Sequence, residues 1–343
     1  MAFDKDPRSE ALVARLTQPE DDPQAIAAAA DALRRGALVA VPTETVYGLA
    51  CDAASAEAVA RLYAAKGRPS INPLIAHVAD LAAAHREGVF DQRAERLAEA
   101  FWPGPLTLVL PRQPDCRVCE AASAGLSTLA LRLPAAPLMR ALAGELGRPI
   151  AAPSANLSGR ISATTAEAVL EDLGGEVAVV LDSGPSPVGV ESTIVDLSGP
   201  EARLLRPGGL ARRDIEAVLG APLAAPPVGA ESAPAAPGLL SSHYAPEARV
   251  RLAATEVGEG EALLAFGPDL PAGAEQAVAV VNLSPRGDLN EAAAALFAAL
   301  RRLDRSGAAT IAVAPIPGDG LGEAIRDRLR RAAAPRGKPD RPD

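Results

Sequence analysis

The stretch "ALVAVPTETVYGLA" (Ala37–Ala50) decides how the first half of the chain is interpreted. Its first five residues are continuously apolar, which is typical of a strand buried on both faces of a sheet. Pro42 then fixes φ at the strand end, and three polar residues follow, Thr43, Glu44 and Thr45. Extended alternation predicts Thr43 and Thr45 on one face and Glu44 on the other. A buried strand that ends in polar side chains predicts that its end forms the floor of a pocket.

The composition is that of a large globular chain with an aliphatic interior. Its 343 residues suggest two domains, and 48% are hydrophobic whereas only 3% are aromatic. No run of about 18 apolar residues occurs, and the start, "MAFDKDPRSE", lacks the basic and apolar segments of a signal peptide. We therefore expect a cytoplasmic protein with no membrane contact.

Charge and cysteine content narrow the class of partner. The net charge of −9 comes with no Lys/Arg block, so strong nonspecific nucleic-acid binding is not expected and any anion must be met locally. The three cysteines, Cys51, Cys116 and Cys119, are an odd number, which argues against a disulfide framework. The spacing "CRVC" is metal-like, but no second Cys or His pair lies nearby to complete a tetrahedral zinc site. The sequence therefore predicts no metal held by the protein alone.

The order of elements in residues 1–220 predicts an α/β domain. A helix is expected to begin after Asp22 with Pro23 at its first position, and to stop at Gly36, where the "ALVAV" strand follows. Apolar strand-like segments then alternate with amphipathic stretches along the domain. The further predicted helices are 55–65, 92–101, 137–146 and 164–173, and the strands are "LIAHV" (74–78), "LTLVL", "STLALRL", "PIAAP", "VAVVL" and "TIVDL".

A Pro-rich segment, 221–247, lacks sustained periodicity and predicts an extended, semi-rigid connector. Residues 248–343 then form a smaller unit with the pattern strand, helix, strand, helix, which predicts a small Rossmann-like parallel sheet. "GDGLGEAI" follows its last strand and resembles part of a phosphate-binding loop. The simpler interpretation is that these glycines let the chain turn tightly into a helix.

Two clusters of polar residues in the first domain point to a ligand. "KGRPSINPLIAHV" carries Lys66 and Arg68 at a helix end, then Asn72 and His77. The basic pair could clamp phosphates or only neutralise the helix C-terminus, and His77 could be a core histidine. In "LSTLALRLP", Thr128 and Arg132 share a strand face, and Arg132 needs either an anionic ligand or an internal Asp or Glu.

Three further clusters stand at strand ends. They are Ser154 and Asn156 of "APSANLSG", with Ser158 and Ser162 beyond; Ser192 and Thr193 of "GVESTIVDL"; and Arg206 of "LLRPGG". Five such clusters predict a crevice at the strand ends of one sheet. Because the donors outnumber the acids, the ligand is expected to be anionic. A site of this kind without an obvious nucleophile suits phosphoryl or nucleotidyl transfer, in which positioning and charge stabilisation supply the rate.

These motifs, together with "PTETVYGL", "WPGPLTLVL" and "ESTIVDL", occur in an order that resembles the YrdC-like domain. "HYAP", "NLSPRGDLNEAAAALFAALRRLD" and "GLGEAIRDRL" resemble the longer form of the L-threonylcarbamoyladenylate synthase family. The likeness covers nearly all of the chain from about residue 22. It implies a twisted mixed sheet with helices, followed by a smaller Rossmann-like α/β domain.

The resemblance implies a reaction and its partners. The family condenses L-threonine, bicarbonate and ATP into threonylcarbamoyl-AMP and pyrophosphate, the first step towards N6-threonylcarbamoyladenosine in tRNA. Mg²⁺ would accompany ATP, and contact with the downstream transferase proteins is conceivable within this family. The alternatives are a carbamoyl-transferring YrdC-like domain and an RNA-binding module, which the negative charge disfavours.

The family's site residues carry over by motif. The threonine site would consist of Thr45, His77, Arg132 and Ser192, with Arg132 holding the carboxylate. The ATP site would consist of Arg68, Asn72, Thr128, the Ala152 backbone, Ser154, Ser162, Arg206 and Tyr244, the last as part of a linker that closes over the nucleotide. Lys66 and Arg68 are expected to be catalytic. The place of Lys66 near the bicarbonate and the reacting phosphate is inferred from its charge. The linker "PGLLSSHYAP" lacks the basic and aromatic residues usual in the family before "HYAP", so no phosphate contact is carried over to that segment.

Overall fold

A computed structural model describes residues 4–5, 11–15, 22–226, 236–237 and 243–335. The chain forms two compact units: the first holds residues 1–158 and 162–239, and the second holds 159–161 and 240–343. The division after residue 239 lies inside the segment predicted as a linker. Most of that linker's middle, 227–235 and 238–242, and with it most of "PGLLSS", lies outside the described residues.

The first unit is built on one mixed sheet, as predicted. The strand order is β1-β2-β9-β3-β4-β8-β5-β7-β6-β10-β11, with both parallel and antiparallel neighbours. The strands are β1 Asp4–Lys5, β2 Leu12–Arg15, β3 Leu38–Val41, β4 Gly48–Asp52, β5 Ile75–His77, β6 Leu106–Pro111, β7 Thr128–Arg132, β8 Ile150–Ala151, β9 Val177–Asp182, β10 Thr193–Asp196 and β11 Arg203–Arg206.

The helices of this unit begin where the sequence provides caps. The carboxylate of Asp22 accepts the amide of Ala25 at 2.9 Å, and the hydroxyl of Ser55 accepts that of Ala58 at 3.2 Å, so each satisfies a donor that the first turn leaves open. Two short helices, α3 and α7, were not predicted. The helices are α1 Pro23–Arg34, α2 Ala56–Lys66, α3 Leu81–Glu87, α4 Gln92–Phe101, α5 Pro137–Leu146, α6 Ala166–Leu173 and α7 Arg212–Leu219.

The chain between β3 and β4 departs from the predicted strand alternation. β3 and β4 pair antiparallel, with Val41 opposite Gly48, and the residues between them form a loop. Within it the hydroxyl of Thr43 donates to the Val46 carbonyl at 2.6 Å and lies 2.8 Å from the hydroxyl of Thr45. The side chain of Thr43 therefore folds the loop on itself, and the predicted placement of Glu44 opposite Thr45 is wrong, because both reach the same arginine (below).

The two faces of the sheet carry apolar clusters of different size. Large apolar side chains such as Leu62, Leu97, Leu108 and Leu131 form the main core with helices α2 and α4. The other face of the strands from β5 to β11 carries a smaller cluster. It consists of Ile75, Val109, Ala130, Ile194, Leu205 and, from the linker, Ala236. Apolar groups therefore cover this second face only thinly. By strand alternation, the face also carries His77, Thr107, Thr128 and Arg132.

The second unit contains a four-stranded parallel sheet in the order β12-β15-β13-β14, as predicted. The segment before β14 is not extended throughout, because Gln276 belongs to a 3₁₀ turn and the strand begins only at Val280. The elements are β12 Arg249–Arg251, β13 Ala262–Ala265, β14 Val280–Asn282, α8 Leu289–Asp304, β15 Thr310–Val313 and α9 Leu321–Ala333.

Replacing Gly208 of "LLRPGG" with alanine should destabilise the first unit. A Cβ at this position would overlap the backbone of residues 191–193, which leads into β10 and is not free to move. We expect a cost of about 2 kcal/mol in the free energy of unfolding, measured by denaturant titration. The control is Gly199→Ala, where an added Cβ meets nothing within 4 Å. Equal stability of the two variants would contradict this account of Gly208.

Candidate functional site

Three of the predicted site residues, His77, Thr128 and Arg132, share a face of the sheet but do not stand at one edge. His77 and Arg132 are register partners at the carboxyl ends of the parallel strands β5 and β7. Thr128 stands at the opposite end of β7, and Ile75 and Ala130 lie between these ends on the same face. Thr128 and Arg132 are four residues apart and thus about 13 Å along the strand. The prediction of a crevice at strand ends is corrected accordingly, since these residues come from both ends of the strands.

Arg132 is the central charge of this face. Its Nη2 donates to Glu44 Oε1 at 2.6 Å, its Nη1 to Thr45 Oγ1 at 3.0 Å and its Nε to the Gly104 carbonyl at 3.2 Å. Burial alone would raise the pKa of Glu44, but the attraction and the hydrogen bond of Arg132 outweigh it and lower that pKa. Three of the five guanidinium N–H groups are thereby used, and no described residue accepts a hydrogen bond from the other two.

His77 lies beside Arg132 as a neutral imidazole. Burial, followed by the positive charge of Arg132, lowers the pKa of His77 to about 3. The side chain is 2% exposed and its Nδ1 has no hydrogen-bond partner in the described structure. A buried ring nitrogen without a partner is costly, so this atom is a ready hydrogen-bonding group for a ligand on this face.

Ser192 is fixed by contacts with two neighbouring strands. Its hydroxyl lies 2.7 Å from that of Thr107 on β6, and Arg206 on β11 donates through Nη2 to the Ser192 carbonyl at 2.9 Å and hydroxyl at 3.2 Å. Ser162 reaches the same segment, because its hydroxyl donates to Glu191 Oε1 at 2.7 Å. Ser162 and Arg206, both predicted for ATP, therefore lie around residues 191–192, next to a residue predicted for threonine.

Lys66 anchors the "APSAN" loop. It ends helix α2, and its buried Nζ donates to the Ser154 carbonyl at 2.6 Å and also to the Asn156 carbonyl. Burial, and then the nearby charge of Arg68, lower the pKa of this amine well below its ordinary value. The structure thus brings Lys66, Arg68 and Ser154 together, as a shared site requires.

Arg68 shapes the segment before β5. Its Nε donates to the Asn72 carbonyl at 3.2 Å and its Nη2 to the Pro73 carbonyl at 2.9 Å. The Asn72 side chain is 1% exposed, yet neither its Oδ1 nor its Nδ2 has a partner in the described structure. The amide of Ala152 donates to the Ile75 carbonyl at 3.1 Å, so only its carbonyl is left for a ligand. An unsatisfied buried carboxamide at the start of β5 marks a second place that can hold a polar ligand.

Two pieces of irregular chain border this face. The carbonyls of Glu44 and Thr45 accept the amides of Val188 and Gly189 at 2.8 and 3.1 Å, which ties the loop before Ser192 to the "PTET" loop. From the linker, Ala236 is fully buried in the small apolar cluster, and the Pro237 carbonyl accepts from Arg206 Nη1 at 3.4 Å. Part of the linker therefore lies on the face that carries the candidate residues.

Tyr244 is packed inside the second unit. It has φ of 63° and 2% exposure, its ring stacks on Phe297 with centroids 5.5 Å apart, and the Arg328 guanidinium lies 5.3 Å from its centroid. The amide of the next residue, Ala245, donates to the Gly159 carbonyl at 2.8 Å. A nucleotide contact for Tyr244 stays a prediction.

Over the described residues, no group of three or more His, Cys, Asp or Glu side chains is arranged to hold a metal ion. All three cysteines have free thiols, and burial raises the pKa of both Cys51 and Cys116. No helix in the described ranges combines the length and hydropathy needed to cross a bilayer.

Three residues of the site were not identified from the sequence. Thr107 lies within the apolar strand "LTLVL" and Glu191 before a strand, while Glu44 was seen but not recognised as the partner of Arg132. Thr107 lies two residues before Val109 and therefore on the same face of strand β6, so strand periodicity could have placed it on the face that carries Arg132. Glu191 and Glu44 accept hydrogen bonds from Ser162 and Arg132, which lie far away in sequence, and no local sequence pattern predicts such pairs.

The comparisons with known proteins agree with this architecture. A family model named Sua5_yciO_yrdC, described as "Telomere recombination", matches residues 31–208. A second model, described as "Threonylcarbamoyl-AMP synthase, C-terminal domain", matches residues 210–334. The two matched ranges together span most of the chain.

Two curated relatives are named threonylcarbamoyl-AMP synthase. The protein of Bacillus subtilis is 42% identical over 335 residues, which cover 92% of this chain and 94% of that one. The protein of Pyrococcus abyssi is 42% identical over 325 residues, covering 89% and 93%. The crystal structure of P. abyssi Sua5 complexed with L-threonine superposes with a TM-score of 0.84 at 37% identity and covers 94% of this chain and 96% of that one.

The Glu44→Gln variant should show how much the buried ion pair contributes to stability. Glu44 and Arg132 have side chains 11% and 4% exposed, so removing the carboxylate charge should cost about 3 kcal/mol at neutral pH. Because the folded pKa of Glu44 is lowered, wild type should keep its full advantage above the ordinary value of 4.5 and lose it as the pH falls through the folded pKa.

Denaturant titrations of both proteins from pH 7 to well below the ordinary value of 4.5 measure this difference. Glu57→Gln is the control, since Glu57 pairs with Arg61 at 3.6 Å on the surface and is 88% exposed. Its effect should stay below about 0.5 kcal/mol at every pH. A difference between wild type and Glu44→Gln that does not depend on pH would refute the assignment.

Proposed function

The chain belongs to the Sua5/YciO/YrdC family in its two-domain form, and we infer that it is a threonylcarbamoyl-AMP synthase. Its reaction condenses L-threonine, bicarbonate and ATP to threonylcarbamoyl-AMP and pyrophosphate. The observation that supports this most directly is one sheet face with buried, unpartnered hydrogen-bonding groups at both ends, His77 near Arg132 and Asn72 near Arg68. Two separated groups of this kind suit two substrates that meet between them.

We assign threonine to the end that carries Arg132. The two remaining N–H groups of Arg132 would bind the carboxylate, with Thr45 held against the same guanidinium. The neutral ring of His77 adds a hydrogen-bonding atom without adding charge. Ser192, fixed by Thr107 and Arg206, would supply a further polar contact. A solved relative bound to L-threonine makes this amino acid the reasonable substrate here as well.

We assign ATP to the other end of the face. Arg68 would neutralise phosphate charge and Asn72 would supply its unsatisfied carboxamide, with Thr128, Ser154 and the Ala152 carbonyl close to the same strand ends. Ser162 and Arg206 lie around residues 191–192, where they could meet phosphate oxygens between the two ends.

The chemistry requires positioning more than a nucleophilic residue. The threonine amine attacks bicarbonate to give a carbamate, with loss of water, and a carbamate oxygen then attacks the α-phosphorus of ATP. The bond from that phosphorus to the β-phosphate oxygen breaks, and pyrophosphate leaves. Lys66 and Arg68 would favour the charge that develops on the phosphates. Since the carbamate is labile in water, a linker that covers the face would serve the reaction.

Magnesium fits this proposal as a partner of the nucleotide. The described residues offer no carboxylate cluster that would hold a divalent cation by itself. Mg²⁺ is commonly bound largely through substrate phosphates and water, so it would arrive with ATP, and its bound charge would offset that of the phosphates. No residue of the chain is assigned as its ligand.

The proposed reaction predicts that pyrophosphate release depends on all three substrates. Omitting threonine or bicarbonate should reduce release from ATP to background, because the attacking carbamate cannot form without both. A coupled pyrophosphate assay with single omissions measures this. Release that ignores threonine would exclude the synthase, and release that requires carbamoyl phosphate instead of bicarbonate would favour a carbamoyltransferase.

The division of the face predicts opposite kinetic effects for two arginines. Arg132→Lys loses the planar fork that suits a carboxylate, so it should raise the KM for threonine about tenfold and change that for ATP much less. Arg68→Lys should instead raise the KM for ATP about tenfold and change the KM for threonine much less. Initial rates with one substrate varied and the others saturating measure both. Equal effects on the two substrates in either variant would refute this assignment of the two ends.

A further inference from the structure

We propose that the second unit contains its own ligand site, a cavity that binds a small organic anion with an apolar body. The cavity has a volume of about 460 Å³. It opens at the carboxyl ends of the parallel strands β12 and β15, where it is bordered by Leu252 and Ala253 after the first and by the segment 313–316 after the second. The carboxyl edge of a parallel sheet is the usual place for a ligand in an open α/β fold.

The lining sets the nature of the ligand's body. Leu252, Val313, Ile316 and Leu329 give the cavity apolar walls, and its volume is within the range found for small-molecule sites. Leu252 remains 37% exposed, although it stands at the mouth of an apolar cavity. A flat or compact apolar group of ring size would remove this surface from water.

The charges at the rim set the nature of the ligand's head group. Arg326 and Arg330, one helical turn apart on α9, are the charged residues of the lining, and no aspartate or glutamate is among the described residues that border the cavity. Arg326 is exposed, and its guanidinium has no hydrogen-bond or ion-pair partner among the described residues. Two guanidinium groups at the rim of an apolar cavity are complementary to a carboxylate, sulfonate or phosphate ester.

One acid of the same helix, Asp327, is directed mainly away from the rim. It accepts from Arg328 at 2.8 Å and from Arg331 at 3.1 Å. Its distance to Arg330 is longer, at 3.8 Å. Asp327 therefore offsets only a small part of the positive charge at the rim.

The backbone at the cavity mouth is also unusual. Ala253 has φ of 53°, a left-handed conformation that is uncommon for a residue other than glycine. Its neighbour Ala254 donates to the Val313 carbonyl at 2.8 Å, so the loop after β12 is fastened to the end of β15 in this shape. Strained backbone that the surrounding structure fixes is frequent where a chain forms a ligand site. The "GDGLGEAI" segment leads from the cavity wall at Ile316 into α9, so its glycines shape the turn that brings Arg326 to the cavity.

The proposal is tested by fluorescence titration of the full chain with 8-anilinonaphthalene-1-sulfonate, an aromatic ring system with an anionic head. Arg326→Gln should weaken binding roughly fivefold, the effect of one partly exposed charge pair, and Arg326→Lys should restore most of the affinity. The control is Arg302→Gln, an exposed arginine on α8 outside the cavity, which should leave the affinity unchanged.

A second pair of variants tests the cavity itself. Ile316→Trp places a large side chain in the cavity from a half-buried loop position, and it should abolish this binding. Leu270→Trp, at a residue 50% exposed and outside the cavity, should not. Thermal unfolding and pyrophosphate release should match wild type in every variant, because none of these residues belongs to the proposed active site.

The same titrations can overturn the proposal. Equal affinity in Arg326→Gln and Arg302→Gln, or unchanged binding in a folded Ile316→Trp, would show that the dye binds elsewhere. A competition titration against the bound dye compares benzoate with inorganic phosphate. If phosphate displaced the dye as strongly as benzoate does, the site would bind anions without an apolar component. If Ile316→Trp fails to fold, the Arg326→Gln and Arg326→Lys pair still decides.

Discussion

The structure of the candidate site depends on placing one guanidinium on a sheet face beneath a thin cover. A charge such as that of Arg132, only 3% exposed, is costly to bury unless it is paired and its N–H groups are satisfied. The chain meets this requirement with Glu44 and Thr45 of one loop and with the Gly104 carbonyl of another segment. Successive residues of a strand point to opposite faces of the sheet. Because Glu44 and Thr45 both bond Arg132, the "PTET" segment cannot continue as a regular strand. The burial of Arg132 and the shape of this loop thus have a common cause.

The same constraint extends to the loop that precedes Ser192. Backbone bonds from residues 188 and 189 to the carbonyls of Glu44 and Thr45 fix that loop on the "PTET" loop. Close packing of Gly208 against residues 191–193 holds its other end. Arg206 then bonds both the carbonyl and the hydroxyl of Ser192. The polar groups of this end are therefore held by backbone as well as by side chains, which gives them a defined geometry before any ligand binds.

Sequence reasoning predicted the parts of this protein that local pattern determines. The helices from Gln92 and Pro137 and the parallel sheet of the second unit follow from periodicity and caps. The pairing of Glu44 with Arg132 across 88 positions does not, because it depends on which strands become neighbours. Strand ends were easy to locate, but the order of strands decides whether those ends meet at an edge or share a face. The strand order therefore changes the expected location of the crevice from the edge of the sheet to its face.

Lys66 illustrates how burial limits the roles available to a residue. An ammonium group has three N–H donors, and two of them in this structure point at the carbonyls of Ser154 and Asn156. Burial and the charge of Arg68 lower its pKa, and a neutral amine would keep both of these bonds with its two N–H groups. Anchoring the loop is therefore independent of its protonation state, whereas attracting a phosphate is not. A phosphate that enters beside Lys66 would favour the ammonium form and supply a partner for the third N–H group. The fixed contacts of Lys66 with the loop and its proposed catalytic role are therefore compatible.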